Sequence, residues 1–201
     1  MRRAISHLKD SDPVLRGIIE HVGPCATQYA DPDFETLARS IVFQQLNGKA
    51  ARAIFGRFKG AIGNGSRLTP RAVLTLPPEH MLALGLSRRK AEYLRDLAEK
   101  TQAGVIEFSR LAGLADEDVI AHLTAVKGIG VWTAQMFLLF ALRRPDILAT
   151  GDFGIRSAIR KAYRLRKLPT PAKVEKLGVK WHPHCSMACW YLWRSTQAGL
   201  W

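Results

Sequence analysis

The stretch Val126-Lys127-Gly128-Ile129-Gly130, followed further along by Ala149-Thr150-Gly151-Asp152, decides the fold. Apolar residues at helical spacing lie on both sides of the first stretch, which predicts two helices joined by a tight hairpin. A Gly-x-Gly turn allows positive φ and a close approach of the backbone to a ligand. The second stretch ends on a carboxylate just before the helical pattern Phe153-Gly154-Ile155-Arg156, where an Asp usually caps a helix.

The hairpin has the features of an anion site. The helix after it begins near Val131, and the first N–H groups of that helix have no intrahelical partner. These donors and the helix dipole favour an anion such as a phosphate, and Lys127 adds a positive charge. Taken alone, Gly128 and Gly130 would more often only connect two helices. The apolar helices on both sides and the position of Asp152 favour the anion-binding interpretation.

The composition agrees with a polyanionic partner. Thirty Lys and Arg against 17 Asp and Glu give a net charge of +13 and a pI near 10.2, a balance typical of nucleic-acid-binding proteins. The longest apolar run, residues 131–142, is too short to span a membrane and contains Thr133 and Gln135, so we expect no membrane association. No apolar signal core follows the N-terminus, and three cysteines form no disulfide framework, which predicts a reducing, cytoplasmic location.

Helix signals dominate the rest of the chain. Ser11 or Asp12 is predicted to cap a helix that has Pro13 in its first turn, and Asp33 and Ser87 are predicted to cap later helices. Strand signals are scarce. The connections between these segments are short. The pattern predicts an all-α fold of about ten helices.

These motifs together resemble the helix-hairpin-helix (HhH-GPD) superfamily of DNA glycosylases. The segment Gln44-Gln45-Leu46-Asn47-Gly48-Lys49-Ala50-Ala51 is similar to the family's Gln-Gln-Leu-Ser-Gly-Lys-Ala-Ala signature, and the resemblance covers roughly residues 30–196. It implies a two-lobed helical fold. One lobe is expected over about 35–135 with the hairpin at 126–131, and the other over about 1–34 plus 136–201. Asp152 is expected in the cleft between the lobes.

The resemblance implies base-excision repair of damaged DNA, with Asp152 as the catalytic carboxylate. Cleavage of an N-glycosidic bond builds positive charge on the deoxyribose, which a carboxylate stabilises. Family members that also nick the backbone carry a Lys two residues after the last hairpin glycine, where this chain has Trp132. We therefore expect a monofunctional glycosylase. Trp132 also matches the aromatic residue of the alkylpurine branch, the 3-methyladenine DNA glycosylase II type, which implies 3-methyladenine and 7-methylguanine as substrates.

Further site residues are implied by the same resemblance. The base pocket is expected to contain Trp132, Phe153, Trp193 and Met136. Leu46 is expected to act as the wedge that fills the space of the flipped base, with Gln45 beside it. The DNA backbone is expected to contact Lys127, Gly128, Gly130, Thr133, Arg88 and Arg89.

The expected partner is double-stranded DNA containing damaged bases, bound by a monomer in the bacterial nucleoid or, in a eukaryote, in the nucleus. No cofactor is required. The hairpin carbonyls of Val126 and Gly128 are candidate ligands of a structural metal ion, as the family often has one there. Four-cysteine iron–sulfur clusters, present in some relatives, would need more than the three cysteines of this chain.

One segment departs from the family pattern and leaves an alternative open. The last helix of the family opens with Trp-x-Pro-x-Arg, whereas this chain has Cys185 at the Arg position. His182, His184, Cys185 and Cys189 are a zinc-binding alternative for the segment, although their spacing is not that of a standard finger.

Two other functions remain open at this point. One is a glycosylase for etheno-modified or deaminated purines. The other is a non-catalytic helix-hairpin-helix module that recognises bent or abasic DNA.

Overall fold

A computed structural model describes residues 1–62 and 67–200 of the protein. These residues form helices and connecting segments and contain no β-strand. The predicted all-α fold is confirmed. The helices, in chain order, are α1 (Arg2–Ser11), α2 (Pro13–Val22), α3 (Phe34–Phe43), α4 (Gly48–Ile62), α5 (Pro70–Thr75), α6 (Pro78–Ala83), α7 (Arg88–Gln102), α8 (Phe108–Leu111), α9 (Asp116–Thr124), α10 (Val131–Phe140), α11 (Phe153–Ala162), α12 (Pro171–Gly178), a 3-10 turn (Val179–Trp181) and α13 (Cys185–Gln197).

The described residues contain more helices than the ten or so that we predicted from the sequence. The additional elements include α1 and the single turn α8. Helix α1 is mostly polar and buries only Ala4 and Leu8, so few apolar residues mark it as a helix in the sequence. Where caps were predicted, the structure has them: Asp33 accepts a hydrogen bond from the Thr36 N–H at 2.8 Å, and the Ser87 hydroxyl accepts one from the Lys90 N–H at 3.3 Å.

The chain divides into two compact units. Unit 1 comprises Met1–Tyr29 and Arg143–Trp201, and unit 2 comprises Ala30–Leu142. The lobe boundary expected near residue 135 falls inside α10, which continues to Phe140. Because a continuous helix stays with one core, all of α10 belongs to unit 2 and the boundary lies after Leu142.

Unit 1 is built around α13, which packs against α2 and α11. Its core includes the fully buried side chains of Leu15, Ile155, Trp181 and Tyr191. The carboxylate of Asp12 is also fully buried there, at the head of α2. A buried charge of this kind must be paired or hydrogen-bonded, and Asp12 receives donors from three separate parts of the unit.

Unit 2 is built around α7, which packs against α3, α5 and α6, while α9 packs against α10. Leu37, Ile41, Leu94 and Leu97 are fully buried in this core. The hairpin between α9 and α10 and the loop between α3 and α4 both belong to this unit. Within the part of the chain that the structure describes, every helix is too short or too polar to cross a lipid bilayer.

Candidate active site

Asp152 is held as a capping carboxylate at the head of α11. Its side chain is only 8% exposed, and Oδ1 accepts a hydrogen bond from the Ile155 N–H at 2.7 Å. The Trp193 indole Nε1 donates a second hydrogen bond to the same oxygen at 2.9 Å. Two donors from α11 and α13 therefore define the position of the carboxylate, as a group that acts on a reacting atom requires.

In unit 1, Gly154 and Trp193 lie close to the carboxylate of Asp152, whereas the side chain of Phe153 is exposed. A Cβ on Gly154 would lie 3.1 Å from both Asp152 Oδ1 and Trp193 Cδ1, so a glycine suits this position. Phe153, predicted as a pocket residue, is 71% exposed. Trp193, predicted as another pocket aromatic, is partly buried and donates to the carboxylate. This contact joins residues 41 positions apart, and no pattern in the sequence indicates it.

Unit 2 contains a cavity of about 490 Å³ beside the hairpin. Trp132, which is 50% exposed, and Met136 both line it, so these two predicted pocket residues lie together. Thr133, predicted to contact the DNA backbone, is buried and lies in the same wall. Ser40 and Phe43 also line the cavity, although no motif in the sequence indicates them. The remaining lining residues are Gln44, Gln45 and Gly128.

The hairpin has the tight geometry predicted for it. Gly128 has a φ of 79°, and Gly130 is the N-cap of α10 with a φ of −96°. Asp96 accepts a hydrogen bond from the exposed Lys127 N–H at 2.8 Å, which ties the turn to α7. The side chain of Lys127 is therefore presented at the surface of the turn by a fixed backbone.

The hairpin carbonyls proposed as metal ligands already have protein donors. The Gly128 carbonyl accepts from Gln44 Nε2 at 2.8 Å, and the Val126 carbonyl accepts from the Ile129 N–H at 3.1 Å. A carbonyl oxygen has two lone pairs, so each retains one for a cation. An ion held there by Val126 and Gly128 would add positive charge beside a bound phosphate.

Exchanging Gly128 for Ala is expected to destabilise unit 2, whereas the same change at Gly130 is not. A Cβ on Gly128 would overlap the Tyr93 ring, and the positive φ is unfavourable for Ala. We expect Gly128→Ala to lower the free energy of unfolding by about 2 kcal/mol or more. A Cβ on Gly130 meets no atom within 4 Å, so Gly130→Ala should cost less than about 1 kcal/mol. Urea unfolding of both variants tests this, and equal losses would contradict it.

The loop Gln44–Asn47 presents the predicted wedge. Leu46 is 38% exposed, and Gln45 before it has a φ of 54° although it is not a glycine. Lys90 lies beneath the loop and donates to the carbonyls of Val42 and Gln44, each at 2.8 Å. Partial burial lowers the pKa of Lys90.

Arg88 and Arg89 are exposed at the start of α7, as expected for side chains that contact a DNA backbone. They directly precede Lys90 in the sequence. The positive charges at the start of α7 and on the hairpin therefore belong to the same unit.

The zinc alternative requires His182, His184, Cys185 and Cys189 to lie together, and the structure does not bring these four side chains to one point. Among the described residues, the structure brings Asp146, His182 and Cys185 together, with their ligand atoms within 4.8 Å of one another. His184 instead meets the His7 ring edge-on, and the buried Cys189 thiol donates to the Ile147 carbonyl at 3.6 Å.

Asp146 acts as a cap for α13 in this cluster. Its carboxylate accepts from the Cys185 N–H at 3.1 Å and from His182 Nδ1 at 2.7 Å. Burial works to raise the pKa of Asp146, but these hydrogen bonds outweigh it and hold the pKa below its ordinary value. Cys185, which stands where the family has Arg, is fully buried, and His182 is the basic side chain that contacts Asp146.

Comparison with known proteins gives a consistent result. Residues 38–184 match the HhH-GPD superfamily of base excision DNA repair proteins. The chain is 37% identical to DNA-3-methyladenine glycosylase 1 of Schizosaccharomyces pombe over 201 residues, which covers 98% of this chain and 88% of the relative.

Two solved structures are similar over nearly the whole chain. One is the S. pombe 3-methyladenine DNA glycosylase Mag1 in complex with abasic DNA, with a TM-score of 0.86, 37% identity and 97% of each chain covered. The other is a DNA-3-methyladenine glycosidase from Bacillus halodurans, with a TM-score of 0.86 and 36% identity, covering 98% of this chain and 89% of that one.

Proposed function

The chain belongs to the HhH-GPD superfamily of base excision DNA repair proteins, and we propose from this that it is a DNA glycosylase for alkylated purines. The reaction is hydrolysis of the N-glycosidic bond of a flipped base such as 3-methyladenine or 7-methylguanine, which leaves an abasic site. The similarity to S. pombe DNA-3-methyladenine glycosylase 1 over nearly the full length of both chains supports this substrate class. The Mag1 structure with abasic DNA, the product of such a reaction, supports the same reaction class.

The observation that carries the proposal is the fixed carboxylate of Asp152. It is 8% exposed and held by the Ile155 N–H and the Trp193 indole. Both hydrogen bonds go to Oδ1. An acceptor that is positioned before the substrate binds does not have to reorganise during the reaction.

Asp152 stabilises the positive charge that develops on the deoxyribose as the glycosidic bond breaks. A full charge at about 4 Å interacts with a carboxylate by roughly 4 kcal/mol at an effective dielectric of about 20. If that interaction is made mainly in the transition state, it accelerates bond cleavage by about a thousandfold. The same carboxylate can orient or deprotonate the attacking water. Trp193 acts as a positioning residue for Asp152.

Trp132 supports both the lesion class and the absence of lyase activity. N3- and N7-alkylated purines carry positive charge and leave readily, so they need little help from an acid. An exposed indole face attracts a cationic base by about 0.5–2 kcal/mol. Because Trp132 occupies the position of the lyase Lys, the enzyme uses water as its nucleophile and forms no Schiff base.

DNA is held through its backbone, and the target base is turned out of the helix. Gly128 and Gly130 present backbone N–H groups to a phosphate, and Lys127, Arg88 and Arg89 add charge, so binding weakens as salt rises. Leu46 fills the space that the flipped base leaves. The enzyme acts as a monomer on chromosomal DNA, in the nucleoid or the nucleus.

The proposed function is tested by incubating the protein with methylated double-stranded DNA and identifying the released bases by chromatography. The native protein should release 3-methyladenine or 7-methylguanine and leave abasic sites in an unbroken strand. Borohydride treatment during the reaction should trap no covalent adduct. A trapped adduct would contradict the monofunctional assignment.

A parallel reaction on DNA that contains ethenoadenine or hypoxanthine distinguishes the nearest alternative. Release of those bases alone would move the substrate class away from alkylated purines. Tight binding to abasic DNA with no base released from any substrate would favour the non-catalytic binding module.

A further inference from the structure

The wedge loop, Gln44–Asn47, has an unfavourable backbone conformation at Gln45. Gln45 lies in the left-handed region, with a φ of 54°, where a residue with a side chain is normally unfavourable. This geometry places Leu46 on the surface, 38% exposed. A loop that presents an apolar side chain in an uncommon backbone conformation needs support from its surroundings.

Lys90 provides that support from below. Its ammonium donates to the carbonyls of Val42 and Gln44, both at 2.8 Å, at the end of α3. Carbonyls at a helix C-terminus carry partial negative charge, so a cation is favourable there. The two bonds fix the backbone immediately before Gln45.

Gln44 then connects the loop to the hairpin. Its side-chain amide donates to the Gly128 carbonyl at 2.8 Å, across 84 positions of sequence. The loop that presents Leu46 and the turn that presents the phosphate-binding N–H groups are therefore in direct contact. This hydrogen bond fixes the side chain of Gln44 against the hairpin.

Helix α7 supports both segments from one side. Lys90, Tyr93, Asp96 and Lys100 are spaced by three or four residues and so share a helix face. Tyr93 lies against Gly128. Asp96 accepts from the Lys127 N–H and from Lys100 Nζ, and Lys100 Nζ also donates to the Ala125 carbonyl.

We propose that Lys90 is a positioning residue for base flipping. By holding the backbone at Gln44, Lys90 fixes the position of Leu46 relative to the hairpin. The inference rests on the proposed glycosylase function and on Leu46 as its wedge. When the hairpin holds the DNA backbone, the contacts of Lys90 and Gln44 determine where Leu46 meets the base stack. Lys90 itself touches neither the base nor the sugar in this role.

The test compares single-turnover base release from two duplexes. One carries 7-methylguanine opposite cytosine, and the other carries it opposite an abasic-site analogue, where flipping costs less. Lys90→Met should slow release from the paired duplex by about tenfold to a hundredfold, because a small misplacement of a positioning group has effects of that size. Release from the unpaired duplex should slow by less than about threefold.

A double-variant comparison tests whether Lys90 acts through the wedge. Leu46→Ala should show the same preference for the unpaired duplex, and adding Lys90→Met to it should cause no further loss, since both changes affect one step. Lys90→Arg keeps the charge and donors and should restore part of the paired-duplex rate. Lys176→Met, which removes an exposed lysine of α12, should leave both rates within about twofold.

The inference would be overturned if Lys90→Met slowed base release equally from the two duplexes. It would also be overturned if the rate losses of Lys90→Met and Leu46→Ala multiplied in the double variant. A native protein that releases 7-methylguanine from neither duplex would count against the proposed substrate class, a separate result. Activity of Lys90→Met on the unpaired duplex also shows that the variant is folded.

Discussion

Asp152→Asn is expected to lower single-turnover release of alkylated purines by about a thousandfold while leaving DNA affinity nearly unchanged. The substitution removes the negative charge but keeps an oxygen that can accept the hydrogen bonds of the Ile155 N–H and the Trp193 indole. The cap of α11 is therefore retained, and the loss reports the removed charge and any action of the carboxylate on water rather than a loss of the fold. Base release from methylated DNA measures the rate. Binding to DNA that contains an abasic-site analogue should change by less than about threefold.

The matched control is Asp146→Asn, which changes the other carboxylate near this segment of the chain. Asp146 is engaged by His182 and the Cys185 N–H as a cap of α13, so its loss should lower the rate by less than about threefold. If Asp152→Asn retained the native rate, or if Asp146→Asn lost it, the catalytic assignment would be wrong.

Asp12→Ala is expected to produce the largest loss of stability. The carboxylate is fully buried and accepts from the Tyr163 hydroxyl, from Trp181 Nε1 at 2.8 Å and from Lys180 Nζ at 3.1 Å. Removing the carboxylate leaves its donors without their acceptor. The expected loss in the free energy of unfolding is about 3–5 kcal/mol. The midpoint of urea unfolding measures the change. Asp10→Ala, an exposed acid of α1, should cost less than about 0.5 kcal/mol.

The stability difference between the native protein and Asp12→Ala is expected to change with pH in one direction. Burial works to raise the pKa of Asp12, but the hydrogen bonds from Tyr163, Trp181 and Lys180 outweigh it and hold the pKa below the ordinary value of 3.8. A depressed pKa in the folded state stabilises the protein at pH values above the unfolded pKa. The stability difference between native protein and Asp12→Ala should therefore be full near neutral pH and shrink below about pH 4. A difference that grew on acidification would contradict this account.

Local features of this protein were predictable from its sequence because they depend on neighbouring residues. The caps Asp33 and Asp152 and the hairpin at Gly128 each follow from a few adjacent side chains and their φ preferences. The wedge role expected of Leu46 requires an exposed side chain, and the structure has that side chain on the surface.

The contacts that were not predicted join distant parts of the chain. Trp193 reaches Asp152, and Lys90 reaches Val42, because packing of helices brings them together. Periodicity indicates which face of a helix is buried, but it does not indicate which polar atom on a second helix that face will meet. Trp193, which is predicted as a base-pocket aromatic, also donates to the carboxylate of Asp152, and no pattern in the sequence indicates that contact.

The discontinuity of unit 1 has a consequence for how the protein is made. Unit 2 is one continuous segment, Ala30–Leu142, and can be completed while the ribosome is still adding the rest. Asp12, by contrast, is synthesised before unit 2, and its donors Tyr163, Lys180 and Trp181 are synthesised after it. The unit that carries Asp152 therefore cannot close until the chain has been synthesised beyond Trp181. A nascent chain can therefore form its hairpin before the carboxylate of Asp152 is held in its folded position.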